Sequence, residues 1–251
     1  MNKLIVIVGL LLLSYAGTSQ LVDARIYELR IYQTEPGRMD ALVNRFANHT
    51  LRLFEKHGMR NEGYWLSAVD SNQLYYVLSY PSIAERELAW KAFSADPTWQ
   101  KVRSDSEQSG KIVSGVVSTF LSKTDFSTFQ WNRSDRKVRR QPKVFELRTY
   151  TCYPGRLPAL QDRFRQHTTR LFERHGMQNV VYWTTIEEGG DQAQLVYLLA
   201  HDSIEAAKQS FDAFGKDPDW QQVREASEKD GKIVSKLESI FLTPLSFSAI
   251  R

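Results

Sequence analysis

The chain contains one module twice, and this constrains its fold more than any other feature. Tyr27 to Trp65 reads YELRIYQTEPGRMDALVNRFANHTLRLFEKHGMRNEGYW, and Phe145 to Trp183 reads FELRTYTCYPGRLPALQDRFRQHTTRLFERHGMQNVVYW, with 23 of 39 positions identical and no gap. The correspondence resumes after a short gap near Asp70, through QLYYVLSY and QLVYLLAH. It then runs from Phe93 to Ser114 and from Phe214 to Ser235. Each unit spans roughly 100 residues, the size of a domain, whereas solenoid repeats run to about 20 to 50. The expected division is 1–20 leader, 21–125 first domain, 126–143 linker and 144–251 second domain.

Within one unit the hydrophobic period switches between two values. Arg25 to Tyr32 alternates with period two and reads as a strand, stopped by Pro36-Gly37. From Arg38 to His57, apolar residues recur at Met39, Leu42, Val43, Phe46, Leu53 and Phe54, a helical stripe closed by Gly58. Asn61 to Val69 and Leu74 to Tyr80 read as strands, and Ile83 to Ala95 as a helix. Asp96-Pro97 starts a further helix, with aspartate as N-cap and proline in the first turn. Ile112 to Leu121 is a last strand. The order β-α-β-β-α-β is the ferredoxin-like unit, so the expected class is α+β with antiparallel sheets.

Residues 1–20 stand apart. Met1 to Lys3 supply a short positive start, Leu4 to Leu13 form an apolar run, and Ser14 to Gln20 are mostly small, which is the layout of a secretory signal peptide. The run is too short for a permanent span, which needs about 20 residues. The expectation is therefore an exported chain, periplasmic or secreted, with no membrane anchor after cleavage. A net charge of +4 over 251 residues gives no reason to expect a nucleic-acid partner. Part of the excess sits in WNRSDRKVRRQPK, residues 131–143, which reads as a solvated linker. The only cysteine, Cys152, has no partner for an internal disulfide and corresponds to Thr34 in the first copy, so a buried, incidental role is expected.

The ELRxY strand, the PGR turn, the HTxRLFE(K/R)HGM helix end and the following Tyr-Trp strand resemble the NIPSNAP family of the dimeric α/β-barrel superfamily. The resemblance covers both repeats. It implies two four-stranded antiparallel sheets closing into a barrel with helices outside, here by internal pairing of the repeats, with a homo-oligomer as the other arrangement. It implies little about chemistry, because the family has no established general reaction. Relatives in the superfamily include cofactor-free monooxygenases, haem-dependent enzymes and small-molecule-binding proteins.

Side chains alternate across a sheet, so Tyr27, Leu29 and Ile31 share one face of the first strand, and Glu28, Arg30 and Tyr32 the other. The second copy repeats this with Glu146, Arg148 and Tyr150. If the apolar set covers the helices, the Glu-Arg-Tyr set faces the lumen, where a guanidinium suits a carboxylate or enolate. The competing reading is a self-satisfied ion pair that holds the sheets together. Trp65, Trp183, Tyr76 and Tyr197 are aromatic candidates for the same lumen, with Tyr76 preferred over Tyr75 because the copies retain it. His49 and His167 are candidate proton-handling groups. His57 and His175 sit at the helix end, where capping is a sufficient role. Trp99 and Trp220 read as packing residues, and Arg103 and Arg224 reach either a barrel mouth or an exposed helix face.

No phosphate-cradling glycine loop, GxSxG elbow, HExxH or paired-cysteine metal site occurs. No metal or cofactor is predicted, and a haem would need a lumen-facing axial histidine, which the sequence does not assign. The resulting expectation is a small-molecule binder whose ligand is apolar or aromatic with an anionic or carbonyl end, held in the lumen. The alternatives are a cofactor-independent monooxygenase or isomerase, and a structural or interaction module without a ligand.

Overall fold

In the computed structural model, residues 24–127, 143–186 and 193–251 are described. The expected leader and most of the expected linker lie outside them. The first repeat runs β1 (Ile26–Thr34), α1 (Met39–Arg45), α2 (Leu51–Lys56), β2 (Arg60–Ser67), β3 (Gln73–Tyr80), α3 (Ile83–Ala95), α4 (Pro97–Ser106) and β4 (Val113–Lys123). The second runs β5 (Val144–Cys152), α5 (Leu157–Arg163), α6 (Thr169–Arg174), β6 (Gln178–Thr185), β7 (Gln194–His201), α7 (Ile204–Lys216), α8 (Pro218–Ser227) and β8 (Val234–Pro244).

The strand order around the closed barrel is β1-β3-β2-β8-β5-β7-β6-β4, so each repeat supplies one antiparallel sheet. Two short seams join them. On one side Trp65, Leu66 and Ser67 pair with Pro244, Thr243 and Leu242; on the other Leu121, Ser122 and Lys123 pair with Thr185, Thr184 and Trp183. After each seam the chain stays on the neighbouring repeat. The Tyr64 amide donates to Ser248 Oγ, and the Tyr182 amide donates to Ser127 Oγ, both at 3.0 Å.

The first helix of each repeat is not the uniform α-helix that its stripe predicts. A π-helical turn separates α1 from α2 at Phe46–Thr50, and α5 from α6 at Phe164–Thr168. The wide turn frees a carbonyl, which a threonine satisfies: Thr50 Oγ1 donates to the Arg45 oxygen at 3.1 Å and Thr168 Oγ1 to the Arg163 oxygen at 3.2 Å. Such turns often mark functional positions. The helices end as expected, with Gly58 and Gly176 at φ of 79° and 77°. Asp96 and Asp217 cap α4 and α8, accepting from the Thr98 and Asp219 amides at 2.7 and 2.9 Å. Among the described residues no helix is long and apolar enough to cross a membrane.

Both faces of each sheet are covered except along the outer stretches of β4 and β8, which are exposed. The barrel interior is filled by Tyr27, Leu29, Trp65, Tyr75 and Val77 from the first repeat against Phe145, Leu147, Trp183, Val196 and Leu198 from the second. Ile250 joins them from the C-terminal segment. Two further cores lie between each sheet and its own helices, one containing Phe46, Phe54, Tyr64, Tyr76 and Phe93, the other Phe164, Phe172, Tyr182, Tyr197 and Phe214. Cys152 is buried in the latter, and burial pushes its thiol pKa up to about 11.

Candidate functional site

The Glu-Arg-Tyr face points away from the lumen, contrary to the expectation for Glu28, Arg30, Tyr32, Glu146, Arg148 and Tyr150. Glu28 lies beneath α3 and accepts six hydrogen bonds. They come from Arg30 Nη1 (2.5 Å), Arg86 Nη2 (2.7 Å) and Nε (3.2 Å), Ser118 Oγ (2.6 Å), Tyr80 OH (2.8 Å) and Trp90 Nε1 (3.3 Å). The physical reason for the inversion is partner supply. An ionised pair must be desolvated only where donors replace its water, and α3 with β3 offers Arg86, Trp90 and Tyr80, whereas the lumen offers mainly apolar side chains. The same inversion places Tyr76 and Tyr197 on the helix side and Tyr75 and Val196 in the lumen. Trp65 and Trp183 do face the lumen, each with a buried indole N–H that has no hydrogen-bond partner among the described residues.

Burial works to raise the Glu28 pKa, but hydrogen bonds from Arg86, Ser118 and Tyr80 and the charge of Arg30 outweigh it and hold it at about 2. A carboxyl depressed in the folded state stabilises the fold above its ordinary value, 4.5, and loses that contribution as pH falls toward 2. Thermal unfolding followed between neutral pH and pH 2 is therefore expected to show a steeper acid loss in the native chain than in Glu28→Gln. Parallel curves for the two would contradict it.

The second copy changes this cluster at three coupled positions. Tyr80, Arg86 and Trp90 become His201, Ala207 and Phe211. Glu146 then accepts from Arg148 Nη1, Ser239 Oγ (2.5 Å) and His201 Nε2 (3.1 Å). His201 is almost fully buried, and its Nδ1 has no partner among the described residues. The Arg148 guanidinium keeps its other contacts, donating to Tyr197 OH at 3.0 Å and Tyr150 OH at 3.1 Å and lying 4.2 Å from the Phe211 ring centroid. Both clusters read as structural ion pairs, the first with its carboxylate fully partnered and the second with the His201 Nδ1 left over.

A pocket of about 300 Å³ opens instead between the β1–β4 edge and the helices. Tyr32, Phe46, Thr50, Phe54, Phe93, Trp99 and Val113 line it with Arg45, while Val116, Arg103, Glu107 and Lys111 complete the wall. Of these, Val116, Arg103 and Lys111 are exposed and mark the mouth. Arg45 is the central polar group. Its side chain is only 5% exposed, Nη1 donates to Glu107 at 3.1 Å and Ser106 at 3.3 Å, the guanidinium lies 5.4 Å from the Trp99 ring centroid, and Nε has no partner among the described residues. Burial raises the Glu107 pKa, but Arg45 and Arg103 outweigh it and leave the carboxyl below its ordinary range.

The two copies agree closely at this pocket. Tyr150, Arg163, Phe164, Thr168, Phe172, Phe214, Trp220, Arg224, Glu228, Lys232 and Val234 repeat eleven of its twelve lining residues, and Leu237 stands for Val116. On α4 and the residues after it, Trp99, Arg103, Glu107 and Lys111 are kept. Among the neighbouring positions Thr98/Asp219, Lys101/Gln222, Ser104/Glu225, Asp105/Ala226, Gln108/Lys229 and Ser109/Asp230 differ, while Gln100/Gln221, Val102/Val223, Ser106/Ser227 and Gly110/Gly231 are kept as well. Arg163 repeats the Arg45 geometry, with Glu228 at 3.3 Å, Trp220 at 5.2 Å and an unpartnered Nε. Arg45 and Arg163 are absent from the sequence-derived candidates. The available signal was an arginine kept inside the buried stripe of both copies.

The histidines take other places. His49 is exposed, and His167 lines an outer groove of about 900 Å³ between α5–α6 and α8. His57 and His175 bond Asp96 and Asp217 through Nε2 at 2.8 and 2.6 Å, joining the helix end to the next N-cap. Among the described residues no group of three or more His, Cys, Asp or Glu could hold a metal ion.

The model of the NIPSNAP family matches residues 27–128 and 145–249. A protein described as a NipSnap homolog from Dictyostelium discoideum is 25% identical over 210 residues, covering 82% of this chain and 83% of its own. A solved NIPSNAP-like domain from Burkholderia xenovorans is 21% identical and covers 41% of this chain and 89% of its own, with a TM-score of 0.38. A "putative monooxygenase" from Fusobacterium nucleatum is 10% identical, covers 89% of this chain and 93% of its own, and has a TM-score of 0.53, a likeness of fold.

Proposed function

This chain belongs to the NIPSNAP family, and we propose that each of its two repeats binds one small molecule with an aromatic or apolar body and an anionic end. The binding place is the pocket between sheet and helices, and the lumen is packed core. The observation that carries this reading is the identity of the pocket wall in the two copies, including the exposed Arg103/Arg224 and Lys111/Lys232, where packing alone imposes no side chain. Pockets for small ligands are mostly apolar with a few convergent polar groups, and about 300 Å³ is the lower end of their usual size. The rings of Phe46, Phe54, Phe93 and Trp99 supply the apolar wall. Arg45 and the two cations at the mouth supply the attraction for the anion, and a guanidinium with an open Nε can donate to a carboxylate. Export of the chain remains the reading from its first 20 residues.

Naphthoate is a suitable probe, measured by equilibrium dialysis. The expected result is saturable binding of two molecules per chain. Joint charge reversal at Arg103, Lys111, Arg224 and Lys232 is expected to weaken it at least about tenfold, roughly 1.4 kcal/mol, while circular dichroism is unchanged and a neutral naphthalene alcohol binds nearly as before. Absence of saturable binding, or naphthoate affinity indifferent to the reversal, would overturn the proposal.

A further inference from the structure

The two repeats differ most tellingly along one strand edge. β4 is paired with β1 over its whole length but meets β6 only at Leu121, Ser122 and Lys123, so from Val113 to Thr119 its outer edge has no ladder partner among the described residues. That stretch, VSGVVST, contains no charged residue, and Val116 and Val117 are 47% and 59% exposed. The equivalent stretch of β8, VSKLESI, is likewise unpaired with β2, which reaches only Leu242, Thr243 and Pro244. It carries Lys236 and Glu238 where β4 has Gly115 and Val117, and the two charges pair at 2.9 Å.

Charges on an edge strand oppose the addition of another strand, because pairing strips them of water, and an uncharged exposed edge lacks that protection. We propose that the Val113–Thr119 edge pairs antiparallel with the same edge of a second copy of this chain, about a two-fold axis. A second copy fits because a neutral strand set against itself brings no like charges opposite one another, and a two-fold contact needs only one self-complementary patch. The contact also continues an existing one, since the next residues of β4 already form the seam between repeats. β8, with its Lys236–Glu238 pair, stays free, so association stops at the dimer and does not extend into a fibre.

Sedimentation velocity over the micromolar range tests this with the chain lacking its leader. The native protein is expected to pass from monomer to dimer as concentration rises. Gly115→Lys with Val117→Glu copies the β8 charges onto β4, and the doubly substituted chain is expected to remain monomeric with unaltered circular dichroism. If that variant misfolds, Val117→Lys alone is the substitute, with the same expectation. Glu238→Lys on the other edge should leave the dimer intact. A native protein that stays monomeric, a dimer that survives the β4 substitutions, or one lost on changing Glu238 would each overturn the assignment.

Discussion

Glu28→Gln is expected to lower folding stability by about 3–5 kcal/mol, the usual range when one member of a buried ion cluster is removed. Glu28 is fully buried and is the shared counter-ion of Arg30 and Arg86. The amide removes the negative charge and replaces two acceptor oxygens with one acceptor and one donor, so donors now face donors. Two guanidiniums, at 12% and 16% side-chain exposure, are left with little water to compensate them. The second copy provides an internal control. Glu146→Gln leaves one guanidinium, Arg148, and His201, which can exist as a neutral ring that donates or accepts through Nε2. Its cost is expected to be smaller by about 1 kcal/mol or more. Urea unfolding of the two variants measures the difference, and equal midpoints would mean that the cluster is not organised around the carboxylate.

The second large effect is expected in the lumen. Trp65→Ala deletes a side chain 2% exposed, packed 6.0 Å from the Phe145 ring and on the β2–β8 seam, and large-to-small changes of this kind cost about 3–5 kcal/mol. For a chain of this size that corresponds to a melting temperature lower by on the order of 10 °C. Trp65→Phe separates packing from polarity. The indole N–H has no partner among the described residues, so the substitution forfeits volume and no observed hydrogen bond, and its cost is expected to be well under half that of alanine. Calorimetry on the pair reads this directly. A Trp65→Ala protein as stable as the native one would mean that the lumen is not a packed core, and would return the ligand to the barrel interior.

Much of the architecture was legible in the residues. The period-two and helical stretches locate the four strands and the helices of the first repeat to within a few residues, Ile83–Ala95 without change, and the duplication carries them to the second. The Asp-Pro caps, the glycines after α2 and α6, and the burial of Cys152 follow from local chemistry. The π-helical turns did not, because the stripe Met39, Leu42, Phe46, Leu53, Phe54 is compatible with an unbroken α-helix and only the Thr50–Arg45 and Thr168–Arg163 bonds reveal the extra residue.

The candidate site was half legible. Alternation states which side chains of β1 share a face, so Glu28, Arg30 and Tyr32 were correctly grouped. It contains nothing about which face meets the helices when both are buried, and polarity was a misleading guide. Tyr27 and Leu29 pack into the lumen because another apolar sheet stands opposite. Glu28 turns outward because Arg86 and Trp90, nearly sixty residues or more away in the chain, supply its donors. The pocket residues were visible individually, Tyr32 as a lumen candidate, Trp99 as packing, Arg103 undecided and Arg45 overlooked, since their convergence is a property of β1, β4, α1 and α4 together.

By itself, then, the sequence determined the duplication, the βαββαβ order within each copy and the identity of the residues held in common, because periodicity, capping and repetition are local properties. The tertiary structure decided which sheet face became the lumen, that the repeats close one barrel through three-residue seams, and that the shared arginine, tryptophan and tyrosine meet beside the helices. Those outcomes depend on which groups are available to replace water around each buried charge, and such partners are set by contacts distant in the chain.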